Sequence, residues 1–163
     1  MPSSRPTTQD ATQLLMSDHR EVEALFAQYE RLAGRHEDDQ KMLVAAQICA
    51  ALEVHMRIEE EIFYPAARQA LSGKDQDIVD EAVVEHEGAR ALIGEIKVMA
   101  SDEPMYDAKV KVLGEYITHH VGEEEREFFP KVRRAAIDLV DLGRQLAARR
   151  QELATSVSTG VLG

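Results

Sequence analysis

A chain of 163 residues can bury one continuous core, and its single cysteine, Cys49, excludes an internal disulfide or a cysteine-rich zinc or iron-sulfur site. With 19 basic against 30 acidic residues the formal charge is −11, which opposes binding to nucleic acid or an anionic membrane surface and leaves metal cations open as partners. The opening MPSSRPTTQD lacks the apolar segment of a secretory signal, and no run nears the ~18 apolar residues of a spanning helix, so a cytoplasmic location is expected.

Residues 1–9, rich in Ser, Thr and Pro, are expected to form a flexible N-terminus. From Asp10 the apolar spacing turns helical, with Leu15, His19, Val22, Phe26 and Tyr29 on one stripe, and Ala33-Gly34 ends that helix. His36 lies in the following polar turn, with Asp38 or Asp39 as the next N-cap. A second helix carries Val44, Ile48, Leu52, His55, Glu59, Ile62 and Phe63 inward; Pro65 should bend it before it stops at Ser72-Gly73. A third runs from Asp75 or Asp77 to about Met99, with Val79, Val83, His86, Ile93 and Ile96 inward. After the turn at Pro104 a fourth carries Val110, Leu113, Ile117, His120, Glu124 and Phe128, with Pro130 standing where Pro65 stood. The pattern continues through Ile137, Leu142 and Leu146. The expected fold is therefore all-α: an antiparallel up-down four-helix bundle over 10–134, a further C-terminal helix over 135–154 packed outside it, and a tail over 155–163.

One stretch occurs twice. Residues 55–65 read HMRIEEEIFYP and residues 120–130 read HVGEEEREFFP, sharing His55/His120, Glu59/Glu124, Glu60/Glu125, Phe63/Phe128 and Pro65/Pro130, with Tyr64 opposite Phe129. Asp18-His19 and Glu85-His86 precede the two copies at similar distances, so the bundle reads as a duplicated helix pair. Within each copy His and Glu four residues apart lie about 40° apart on one helix face, one turn along.

Four imidazoles and two carboxylates buried without partners would cost several kcal/mol, on the order of the desolvation penalty of the ions themselves. A metal compensates, and imidazole with carboxylate but no thiolate suits iron, manganese or zinc. Two carboxylates that each bridge, with the His divided two and two, would serve two roughly six-coordinate ions. Positions remain for a bridging oxo or hydroxo group and an exogenous ligand.

A lone His, then H-x-x-x-E, then a lone His and a second H-x-x-x-E, with the trailing EEEIFYP and EEREFFP, resembles the hemerythrin-like (HHE cation-binding) domain over residues 14–134. The resemblance implies two non-haem iron ions, ahead of zinc or manganese, held by His19, His55, Glu59, His86, His120 and Glu124. It also implies a small-molecule ligand: O2, NO or hydrogen peroxide. Arg90 stands where respiratory hemerythrins carry a further His, and the last carboxylate follows its His by four residues rather than five, which disfavours reversible oxygen carriage. Decomposition of peroxide or handling of reactive oxygen and nitrogen species is the preferred activity, with an iron or oxygen sensing or storage module as the alternative. No nucleic-acid or membrane partner is expected, and the chain is expected to be a monomer or weak homodimer.

His119 with Glu123 has the same spacing and competes with His120 and Glu124; alignment on the two prolines and the apolar stripe of Leu113 and Ile117 select His120. Tyr116, one turn before His120, is a candidate donor or extra ligand, the competing reading being a core tyrosine. Glu60, Glu61, Glu125 and Arg126 fall off the ligand face and read as solvated charge, and Cys49 as a small packed hydrophobe.

Overall fold

A computed structural model describes residues 8–35 and 37–158, with side chains through Ser156. Expectations for residues 1–7, His36 and residues 159–163 lie outside the described residues. Among the described residues the chain is helical without a strand. The helices are α1 (Ala11–Ala33), α2 (Asp38–Ile58), α3 (Tyr64–Ala70), α4 (Asp77–Val98), α5 (Tyr106–Glu123), α6 (Phe129–Arg134) and α7 (Leu139–Ser158).

The bundle consists of the α1/α2 and α4/α5 hairpins, with α2 against α4 and α1 against α5. Asp10 opens α1 with a reciprocal cap: its carboxylate accepts from the Gln13 amide while the Gln13 side chain accepts from the Asp10 amide. The C-terminal helix α7 lies outside the bundle on α1 and α2, burying Leu142, Leu146 and Leu153. It continues to Ser158, past the expected boundary at 154. Gly143 is required where α7 meets the start of α1, because a Cβ there would stand 2.5 Å from the Gln9 carbonyl oxygen.

Each long inner helix is interrupted at the duplicated motif. A π-helical turn spans Glu59–Phe63 between α2 and α3, and another spans Glu124–Phe128 between α5 and α6. In each, the amide five residues on, Tyr64 or Phe129, donates to the glutamate carbonyl. The proline follows at once, where its missing N–H and its clash with the carbonyl four residues back would disrupt a normal α-ladder. Widening the turn relieves both problems. It also re-phases the helix: residues five apart stand about 140° apart on an α-helix, and the extra residue of a π turn brings Glu59 and Tyr64 onto one face.

Two apolar clusters result. One gathers Val22, Tyr29, Ile48, Leu52, Ile93 and Leu113; the other gathers Leu15, Ile58, Phe63, Phe128, Phe129 and Leu146. Buried His19, His55, Glu59, His86, His120 and Glu124 occupy the layer between them.

Candidate metal centre

The side chains converge from four helices and two π turns. His19 Nε2 lies 3.3 Å from Glu124 Oε2, and His120 Nε2 lies 3.0 Å from Glu124 Oε1, so one carboxylate faces a different imidazole with each oxygen. Glu59 Oε1 stands 2.8 Å from His55 Nε2 and 3.5 Å from His86 Nε2. His86 and His120 bring their Nε2 atoms within 3.1 Å of each other. Bonds of about 2.1 Å at right angles around a metal put neighbouring donor atoms about 3 Å apart, close to these separations. The donors fall into two sets, Glu59/His86/His120/Glu124 and His19/His55/Glu124, which share Glu124.

The fit of a cation also rests on what these atoms lack. His19 Nε2, His55 Nε2, both Glu59 oxygens and Glu124 Oε2 are buried without a hydrogen bond, the short approaches between them not being directed ones. Orphaned buried polar atoms are expensive, and five of them facing one space are what a shared cation resolves.

The other nitrogen of every ring is fixed. His19 Nδ1 is 3.0 Å from Glu125, His55 Nδ1 is 3.2 Å from Asp18, His86 Nδ1 is 3.2 Å from Glu60 and His120 Nδ1 is 3.3 Å from Glu85. A carboxylate at Nδ1 holds the proton there and turns Nε2 inward as a ligand. Asp18 and Glu85 serve their own repeat, while Glu60 and Glu125 cross to the other, which ties the two hairpins together. Glu60 and Glu125 are thus part of the site rather than solvated charge, whereas Glu61, paired with Arg57 and Arg149, and Arg126 stay on the exposed surface. Arg90 is turned outward and pairs with Glu60, leaving the interior to the imidazoles.

Electrostatics follow the geometry. Burial works against a proton on His55, but the Glu59 charge and the Asp18 bond outweigh it and raise the pKa to about 10. For His120 burial is likewise outweighed, by Glu124 and Glu85, and the pKa rises to about 11. Burial would push Glu124 up, yet the charge of the adjacent His120, its Nε2 3.0 Å away, holds it well below the usual carboxylate range. Protons on the imidazoles thus offset the same negative charge that a cation would.

Tyr116 does not enter this layer. It is 46 % exposed, with its ring against Gly88 on the outer face of α4 and α5. The hydroxyl inside belongs to Tyr64, which donates to Glu124 Oε1 at 2.7 Å and lies 3.1 Å from His86 Nε2. Burial, with the Glu124 and Glu59 charges, keeps this phenol protonated well above its ordinary range. In the other half Phe129 stacks on His19 at 5.9 Å, as Tyr64 packs on His86 at 5.3 Å. The aromatic ring packed on each donor set therefore differs by one hydroxyl. Sequence reasoning missed Tyr64 and the four outer carboxylates, although the Tyr64/Phe129 mismatch, the acid-His pairs and the repeated Glu-Glu were signals for them. A cavity of about 10 Å³ opens beside the imidazoles, walled by Val22, Leu52, Met56, Ile117 and Val121, room for about one water-sized molecule.

Residues 10–132 match the hemerythrin HHE cation-binding domain family. A Nostoc protein named a DNA nickase is 28 % identical over 122 residues, 74 % of this chain and 32 % of that protein, so the chain spans about a third of that relative's length. The fold resembles the crystal structure of a hemerythrin HHE cation-binding domain-containing protein from Mycobacterium kansasii, with a TM-score of 0.75, 21 % identity and coverage of 91 % of this chain and 89 % of that one.

Proposed function

The chain belongs to the hemerythrin HHE cation-binding domain family, and on that premise we propose that its metal is a pair of non-haem iron ions that react with O2, NO or hydrogen peroxide, peroxide decomposition being favoured. The observation that carries this reading is the convergence of four Nε2 atoms and two carboxylates, each imidazole locked by a carboxylate at Nδ1, in two donor sets that share Glu124. His19 and His55 would hold one ion and His86 and His120 the other, with Glu124 common to both donor sets and Glu59 beside His55 and His86. Iron so held supplies redox chemistry and open coordination positions to a small oxidant.

The chain's own residues do the rest. Val22, Leu52, Met56, Ile117 and Val121 give the space beside the imidazoles, of about 10 Å³, an apolar wall that disfavours bulk water there. Tyr64 keeps a proton at its hydroxyl beside Glu124 and His86, where a positioned acid would serve cleavage of a peroxide O–O bond to water. Among the described residues Phe129 takes the equivalent place against His19 and brings no hydroxyl, so Tyr64 serves one side of the centre. The nicking activity named for the longer Nostoc relative is not carried over, because a charge of −11 opposes docking on a phosphate backbone.

The test is stopped-flow spectroscopy of the anaerobically iron-loaded protein mixed with O2, NO or hydrogen peroxide, beside oxygen-evolution measurements. Peroxide turnover well above free-iron controls, with two peroxides giving one O2 and two waters, is the expected result. Absence of turnover together with reversible O2 uptake released under vacuum would instead identify a carrier or sensor.

A further inference from the structure

The four carboxylates that orient the imidazoles are not held alike. Asp18 is paired with Arg150, Glu60 with Arg90 and Glu125 with Arg20. Glu85, the fourth, has no lysine or arginine in ion-pair contact among the described residues; its second oxygen faces His119 Nε2 at 3.9 Å, and the same nitrogen lies 3.1 Å from Glu123 Oε1. The inequality comes from the duplication. The counterparts of His119 and Glu123 in the first repeat are Val54 and Ile58, which pack into the apolar cluster that α7 helps form, and α7 also supplies Arg150. Nothing among the described residues covers the equivalent face of the second repeat, where His119 is 66 % exposed.

We propose that Glu85, His119 and Glu123 form an outer divalent-cation site on the α4/α5 face, which collects Fe2+ at the mouth of the buried centre and hands it inward past His120. One imidazole and two carboxylates, completed by water, suit a first-row divalent cation. Their ligand atoms all lie within 4.8 Å of one another, and separations of 3.1 and 3.9 Å span the adjacent and near-opposite donor distances of a polyhedron with bonds of about 2.1 Å. The cation supplies the positive charge that arginine gives the other three carboxylates. Glu81, Glu85 and Glu123, with Asp80 that is paired to Arg68, line one surface groove together with Tyr116 and His119, so the approach carries net negative charge and draws cations in. Glu85 is common to both sites, one oxygen on His120 Nδ1 and the other turned outward.

The role in loading rests on the di-iron reading; the outer site itself does not. Mn2+ binding, counted by equilibrium dialysis with EPR, is measured on iron-loaded protein and on a Glu59→Gln/Glu124→Gln variant that lacks the inner bridging carboxylates. One Mn2+ per chain is expected on both, its affinity falling by about tenfold or more in His119→Ala and in Glu123→Gln, at least the loss that removing a ligand's supporting group brings. Ferrous loading should be severalfold slower in those two variants, with the final iron content unchanged. Mn2+ binding that is absent, or equal in wild type and both variants, overturns the site. Normal loading rates with lost Mn2+ binding overturn its role in loading. Mn2+ bound and lost as expected in a protein that takes up no inner iron would leave the outer site standing and remove only the di-iron reading.

Discussion

Tyr64 and Phe129 occupy equivalent positions in the two halves and both are buried, so the hydroxyl is an addition to a packing position that phenylalanine already fills. Tyr64→Phe should therefore fold and keep its iron, while peroxide decomposition falls by about 100-fold, the lower range for loss of a positioned proton donor. Tyr116→Phe, on the outer face, should change neither. Iron content by metal analysis and turnover by oxygen evolution check both; unchanged turnover in Tyr64→Phe would remove it as the donor. The six ligand candidates were legible because each falls on its helix's apolar stripe and recurs in the repeat. Tyr64 was not, since α-helical phasing from Glu59 turns it away and only the π turn restores it. Glu60 and Glu125 were misread for another reason: periodicity along one helix says nothing about an imidazole arriving from the next.

At the level of elements, helix ends were legible from Gly34, Ser72-Gly73 and Pro104, and the place of α7 from its row of leucines. Where α7 touches was not. The close approach at Gly143 arises from a neighbour, the backbone of residues 9–11, far away in sequence. Gly143→Ala should lower stability by about 1–3 kcal/mol, the usual cost of overpacking against atoms that cannot yield. Gly94→Ala, in the interior of α4 with nothing within 4 Å of the new Cβ, should raise it by roughly 0.5–1 kcal/mol through helix propensity. Chemical denaturation of the two variants in parallel checks the pair; equal effects would contradict the packing of α7 on the start of α1.

For the whole molecule, the centre links metal, protons and stability. His55 and His120 have pKa values raised to about 10 and about 11, against about 6.5 in an unfolded chain. Their contribution to the stability of the metal-free protein is full below about pH 6.5 and is lost as pH rises through 10 to 11. Metal binding must displace those protons, so metal affinity should rise over the same range and loading should release acid. Thermal unfolding of metal-free and loaded protein between pH 6 and 10 should show the metal-free form losing ground to the loaded one; a gap that narrows with pH would contradict the assignment. The central claim is that two ions share the layer between the apolar clusters, and metal analysis after anaerobic ferrous loading tests it most directly. About two irons per chain are expected, with most of the iron lost in Glu59→Ala and in Glu124→Ala, whereas one tightly held zinc, or full iron in both variants, would contradict it.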